Sequence, residues 1–422
     1  MRAASLLLVP LLFLLPAAPA AAEDVAFLRG KDLPKGKALV KLVEGYLDAE
    51  VTARRALRKQ WDREFAHLDP KDLPKLRKTL LKIALKHGPK LQKKGNNWFF
   101  EKGRGRYIVS GSPKKGLWLG LHGGGVGSGD AGSAASAMGG GGFGWIFPEV
   151  LKKTERGWTD AGTEEFVLEL IQAAKRTWKL DPNRIYITGH SMGGYGTWTI
   201  GSRHADVFAG LAPYAGAPSC VTMQGQSEAS MVEPGVLPNL FNVPLHFFQS
   251  GDDKNVPPES NDLAARLLKE LKAEHPRGFN YRYDRVDGRG HAAPKEGYGP
   301  SQKWIASHDR VPRPKKFLWQ PTLSWKRHFY WAYWPYAEME TILQFEAKDG
   351  NRIEVTTLEG SDDLEGLSIL LGTPLVDPTK PVTVVVNGEA RKPITVPRTF
   401  STLMLTLPRL DPHLLFDARL DL

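Results

Sequence analysis

The run Arg184-Ile185-Tyr186-Ile187-Thr188-Gly189-His190-Ser191-Met192-Gly193-Gly194-Tyr195-Gly196 constrains this chain more than any other segment. A β-branched strand enters Gly-x-Ser-x-Gly, and a helical segment leaves it. Such a passage places a serine on a sharp, strained turn with its hydroxyl projecting, and side chains at the flanking positions would collide there. The helix that follows aims its positive N-terminus at charge developing beside the serine. The pattern therefore asks for a strand end, a helix start and a pocket above both.

The surroundings of the turn supply strands and helices in alternation. Strand composition recurs at Arg106–Ser110, Leu117–Leu121, Arg184–Thr188, Pro244–Gln249 and Asn280–Val286, with helical periodicity over Glu164–Thr177 and Asn261–Leu271 between them. Alternation of this kind predicts an α/β unit over residues 96–318, a mostly parallel sheet covered by helices on both faces. At 422 residues the chain exceeds the usual single core, so further units are expected. Residues 23–95 read as a helical region, with Leu39, Leu42, Val43 and Tyr46, then Leu73, Leu76, Leu80 and Ile83, at helix spacing. Residues 312–321 read as a proline-rich linker. Residues 319–422 read as a small all-β domain, with strands expected at Glu340–Phe345, Arg352–Thr357, Val382–Val386 and Thr402–Leu407. Its opening aromatics, Trp325, Phe329, Trp331, Trp334 and Tyr336, suit packing, with a sugar-binding surface as the alternative.

Three further features fit nucleophilic catalysis. Strand Leu117–Leu121 runs into His122-Gly123-Gly124-Gly125, where bare backbone can present N–H donors to a tetrahedral oxyanion. Gly124, helped by Gly125, and Met192 are the candidate donors. Strand Pro244–Gln249 ends in Asp252-Asp253, and strand Asn280–Val286 leads to Gly288-Arg289-Gly290-His291. The order serine, acid, histidine is the one this topology uses, so His291 is the candidate base for Ser191. Successive residues leaving a strand point in opposite directions, so one of the two aspartates faces the ring and the other is an exposed loop residue. A competing motif, Gly127-Ser128-Gly129-Asp130-Ala131-Gly132 with Glu149 downstream, has dinucleotide-binding spacing. It begins well beyond its strand, and residues 131–142 are read as too glycine-rich to open a helix, so no cofactor is expected. No metal is needed either.

With these residues in place, the chain resembles the polyhydroxybutyrate depolymerase and feruloyl-esterase branch of the α/β-hydrolases, and is similar to prolyl-oligopeptidase-like predicted peptidases. The resemblance spans roughly residues 96–310 and rests on Leu180-Asp181-Pro182-Asn183-Arg184, the serine motif and Asp253-Lys254-Asn255-Val256-Pro257. It implies an α/β-hydrolase fold, a serine hydrolase acting on carboxylic esters or on peptides, and Asp253 rather than Asp252 as the carboxylate of the triad. The loop Gly124–Gly144 departs from that pattern in its glycine and alanine content, and is expected to rim the site as a mobile lid.

The chain's ends bear on location. Arg2, the apolar run Leu6–Leu15 and Ala20-Ala21-Ala22 read as a signal peptide over residues 1–22, cleaved near Ala22, which predicts a secreted or periplasmic protein with no remaining membrane span. Cys220 is the only cysteine, so no internal disulfide is expected, and a small packing role suits it. Residues 23–95 hold 19 Lys and Arg against 10 Asp and Glu, a balance of +9 in a chain of net +11. Two readings stay open there, contact with anionic polysaccharide or cell envelope and a solvated face with no partner. The remainder is nearly neutral, which argues against a nucleic-acid partner. An inactive hydrolase fold kept for envelope or carbohydrate binding is the remaining alternative.

Overall fold

The computed structural model describes residues 30–99, 103–124, 129–150, 157–222 and 228–422. The expected signal peptide lies outside the described residues, as does Gly125. An eight-stranded sheet forms the centre. Its order across the sheet is Gly95–Trp98, Arg106–Gly111, Gly144–Glu149, Leu117–Leu121, Ile185–His190, Gly210–Tyr214, Leu245–Ser250 and Tyr281–Val286. The first two pairings are antiparallel and all later ones parallel.

Alternation along the strands explains why both faces are covered. Leu117, Leu119, Leu121, Ile185 and Ile187 share a core with Phe166, Leu170, Trp198 and Leu268 from the helices Thr163–Thr177, Met192–Arg203 and Glu259–Glu274. The intervening Trp118, Tyr186 and Phe248 face the other way, onto Ala131, Ala134, Met138 and Ile305 of the helices Ala131–Met138 and Gly299–Ile305. A period of two thus fills two cores at once, and every parallel strand but the last is buried on both sides. The expected α/β class holds.

The helix Ala131–Met138 corrects the expectation that residues 131–142 cannot open one. Asp130 starts it with a capping box, its carboxylate accepting from Ser133 N at 2.7 Å while Ser133 Oγ accepts from Asp130 N at 3.2 Å. Four alanines offset the single interior glycine. Glu149, considered as a ribose ligand, is buried and accepts from Ala131 N at 3.2 Å, so it anchors the start of this helix.

Beyond the eight-stranded sheet, a five-stranded sheet (Lys316–Trp319, Ile342–Lys348, Arg352–Glu359, Thr383–Val386, Glu389–Ala390) faces a four-stranded antiparallel one (His328–Phe329, Ala332–Tyr333, Ser368–Leu371, Ala418–Asp421). The segment read as a linker contains the first of these strands, with Phe317 and Trp319 fully buried. Thr402–Leu407, read as a strand, lies mainly in the α-helix Phe400–Thr406, capped by Thr399 through its side chain. Being buried on all sides, this helix has no polar face, and a short run without such a face cannot be told from a core strand. Phe329, Trp331 and Trp334 are core residues, while Trp325 stacks on His204 and Tyr336 lies under Arg55. Packing accounts for most of that aromatic segment.

Three helices, Lys37–Asp48, Val51–Glu64 and Leu73–Lys86, the last two of them basic, form where two helical stretches were expected, because the chain also breaks at Ala49-Glu50. Their apolar faces close over Phe400, Leu403, Met404 and Leu407. The N-terminal region therefore docks on the C-terminal one. Behind the sheet, Asp206 is buried between Lys326 at 2.7 Å and Arg409 at 2.9 Å, and Arg310 meets Asp411 at 2.6 Å. These contacts tie the parallel sheet to the C-terminal sheets. Among the described residues, no helix is long and apolar enough to cross a membrane.

Candidate active site

Ser191 sits where strand Ile185–His190 gives way to helix Met192–Arg203, with φ +59° and ψ −123°. A non-glycine residue holds that conformation only when its surroundings force it. Here the force is steric. A Cβ on Gly189 would lie 2.3 Å from Gly193 O, and one on Gly193 would lie 2.2 Å from Leu121 O. The backbone of three segments meets at this turn, and Ser191 N donates to Tyr214 O at 2.9 Å from the next strand.

The two other candidates arrive from the ends of neighbouring strands. His291 Nε2 lies 2.8 Å from Ser191 Oγ, and His291 Nδ1 lies 2.8 Å from Asp253 Oδ2. Asp253 is buried, and its Oδ1 accepts from Asn255 N at 2.9 Å and Val256 N at 3.0 Å. Burial works to raise the Asp253 pKa, yet the amides of Val256 and Asn255 and the His291 ring outweigh it and hold the carboxyl below its ordinary value. An ionised acceptor at Nδ1 keeps the proton there and leaves Nε2 free to accept from the serine hydroxyl. That is the arrangement a nucleophile and its base require.

A cleft of about 910 Å³ opens above this chain of contacts. Gly123, Gly124, Ser191, Met192 and His291 line it together, so two of the three candidate oxyanion donors border the serine. Met192 is the first residue of its helix, where the N–H has no partner within the helix. One wall is the helix Ala131–Met138, through Ser133, Ala134, Ala137 and Met138. The loop expected to be a lid is thus partly a helix. No Asp, Glu, Lys or Arg borders the cleft among the described residues.

Residues 131–309 match the prolyl oligopeptidase family. A poly(3-hydroxyalkanoate) depolymerase C from Paucimonas lemoignei is 30% identical over 94 residues, which are 22% of this chain and 21% of that protein. The chain thus spans about a fifth of the length of the curated relative it matches. A thermostable esterase of known structure is 21% identical, with 52% of this chain and 64% of the other covered at a TM-score of 0.39. A phospholipase/carboxylesterase from Dyadobacter fermentans DSM 18053 is 14% identical, with 51% and 98% covered at a TM-score of 0.35. The parallel sheet with helices on both faces and the strained serine turn at a strand end decide the fold.

The chain has an α/β-hydrolase fold.

Two contacts that hold His291 in place were not legible in the sequence. His190, the variable residue of the serine motif, has its Nε2 3.1 Å from His291 O and its Nδ1 3.3 Å from Tyr298 Oη. Donation to a carbonyl puts its proton on Nε2, so Nδ1 accepts from the tyrosine. Burial, with His291 close by, pushes the His190 pKa down to about 4, and the ring stays neutral. Asp252, expected as an idle loop residue, is exposed but accepts from Gly288 N at 3.1 Å and Gly290 N at 3.0 Å. No periodicity or motif could have signalled either contact, since both reach across loops. Cys220 is half-buried, and burial raises its thiol pKa.

Proposed function

We propose that this chain is an exported serine hydrolase that cleaves carboxylic esters through an acyl-serine intermediate. The observation that carries the reading is the unbroken chain from Ser191 Oγ through His291 to Asp253, with 2.8 Å at each step. His291 takes the serine proton as Ser191 attacks the acyl carbon. The oxyanion then faces the N–H groups of Met192 and Gly124. His291 returns the proton to the departing alcohol, and water repeats the sequence on the acyl-serine. Asp253 keeps the imidazole in the tautomer that accepts, and stabilises the cation formed. No step calls for a metal or an organic cofactor.

A cleft with no charged side chain among its described lining residues suits an uncharged acyl group, and its volume of about 910 Å³ leaves room for a polymer-linked ester. The depolymerase relative is named for a poly(3-hydroxyalkanoate), a polyester, which supports the ester reading. The match to the prolyl oligopeptidase family supports a second reading, cleavage of peptide bonds by the same three residues. A binding protein on a dead fold is disfavoured, because each member of the contact chain is present. Export rests on residues 1–22 alone, and anionic polysaccharide or envelope is a proposed partner of residues 23–95.

The test is a fluorophosphonate probe followed by a panel of short p-nitrophenyl esters and peptide amides. Labelling at Ser191 and turnover of esters are expected, and Ser191→Ala should lose both, at a cost on the order of 10⁶-fold in turnover. Cleavage of amides alone would select the peptidase. Neither activity, with no labelling, would leave the binding reading.

A further inference from the structure

We infer that Asp252 is a positioning residue for His291, so that the two adjacent aspartates divide one task. Asp253 holds the imidazole ring, and Asp252 holds the loop that carries it. This rests on the serine-hydrolase reading above.

The loop has little else to hold it. Residues 284–288 are exposed, Ala292 is exposed, and no residue from Asp287 to Ala293 is fully buried. Apolar packing therefore contributes little, and hydrogen bonds must fix where His291 stands. Three successive amides converge on one spot. Gly288 N and Gly290 N donate to Asp252 Oδ1, and Arg289 N between them donates to Ser250 Oγ at 3.1 Å. Ser250 closes the set by donating its own hydroxyl to the same Asp252 oxygen. Gly288 and Gly290 have φ of +76° and +52°, which lets neighbouring N–H groups turn to one side as a concave nest for an anion. The carboxylate of Asp252 fills that nest. Hydrogen bonds from Ser250 and Gly290 pull its pKa down to about 2, so the charge is present throughout any working range.

The anchor is one residue from the base. Gly290, held by Asp252, immediately precedes His291, whose carbonyl is held on the other side by His190. On the acid side, Asp253 follows Asp252 directly. A single dipeptide thus fixes both the ring and its backbone, and the base is clamped to the strand end Leu245–Ser250. Releasing the backbone clamp should let the ring drift from its 2.8 Å contact with Ser191, and a misplacement of about 1 Å costs on the order of 10²-fold.

The experiment compares Asp252→Ala, Asp252→Asn, Asp287→Asn and Ser191→Ala on one neutral ester in the full-length protein, with melting temperature and fluorophosphonate acylation rate measured alongside. Asp287 is an exposed acid of the same loop, and its side chain pairs with Arg285 rather than with the nest, so its variant should behave as wild type. Asp252→Ala should lower kcat by roughly 10- to 100-fold with KM nearly unchanged, and acylation should slow by the same factor. Asp252→Asn keeps a carbonyl oxygen for the amides and should recover part of the loss. Wild-type kcat in Asp252→Ala, or a loss confined to KM, would overturn the assignment. Should Asp252→Ala fail to fold, Asp252→Asn decides alone: reduced kcat at an unchanged melting temperature supports the clamp, and unchanged kcat refutes it. Turnover surviving in Ser191→Ala would instead strike the underlying reading, whatever Asp252 does.

Discussion

Replacing Asp253 by asparagine removes one charge and one acceptor at a point where every neighbour is a donor. Oδ1 receives the amides of Asn255 and Val256, while Oδ2 receives His291 Nδ1 at 2.8 Å and lies 3.4 Å from Gln249 Nε2. Asparagine has one oxygen to offer. If its NH₂ took the place of Oδ1, it would confront two backbone amides that cannot turn away. The oxygen therefore stays with the backbone, and the NH₂ faces His291. The ring must then accept at Nδ1 and carry its proton on Nε2, pointed at Ser191, where it can no longer act as a base. The corresponding change in a serine protease costs about 10⁴-fold in kcat, and a loss of that order is expected here. Stability should fall as well, with a definite sign. A carboxyl with a depressed folded pKa stabilises above its unfolded value near 4 and ceases to do so as acid protonates it. The variant should thus be weakened at neutral pH and match wild type in strong acid. The assay is kcat/KM on a p-nitrophenyl ester, with urea unfolding at several pH values. A variant retaining a tenth or more of wild-type kcat would refute the tautomer argument.

Three other outcomes follow from the structure. Gly193→Ala should not give a native enzyme, because its Cβ would meet backbone atoms of Leu121 and His122 within 3 Å; soluble yield and melting temperature check this. His190 has a folded pKa of about 4 against an ordinary 6.5, so the unfolded chain binds its proton first; stability should be full above pH 6.5 and fall by about 3 kcal/mol toward pH 4, and His190→Gln should flatten that slope in urea titrations. Asp206→Asn leaves Lys326 and Arg409 buried without their counter-ion, and should cost about 3–5 kcal/mol in denaturant unfolding while the ester KM is unchanged. The anionic-partner proposal is best tested by Lys78→Glu, Lys82→Glu and Lys86→Glu together, all exposed, since deleting the helices would bare Phe400, Leu403 and Met404; heparin retention equal to wild type at low salt would reject it.

What the sequence determined by itself is the local geometry and the order of parts. Gly189 and Gly193 flank Ser191 because backbone from three segments meets there, and that demand is legible in a five-residue motif. Alternating apolar strands and helices announce a sheet buried on both faces, since a period of two must fill two cores. The relation of His291 to Ser191 was legible as chain order, a consequence of topology. Tertiary structure alone decided the rest. Residues 131–138 and 400–406 became helices because a capping box and an all-round apolar environment outweighed glycine content and strand-like composition. Asp252 acquired its contacts from amides 36 and 38 residues away, and His190 from a carbonyl 101 residues away. Hydrogen bonds between loops depend on where each strand ends in space, and no periodicity along the chain records that distance.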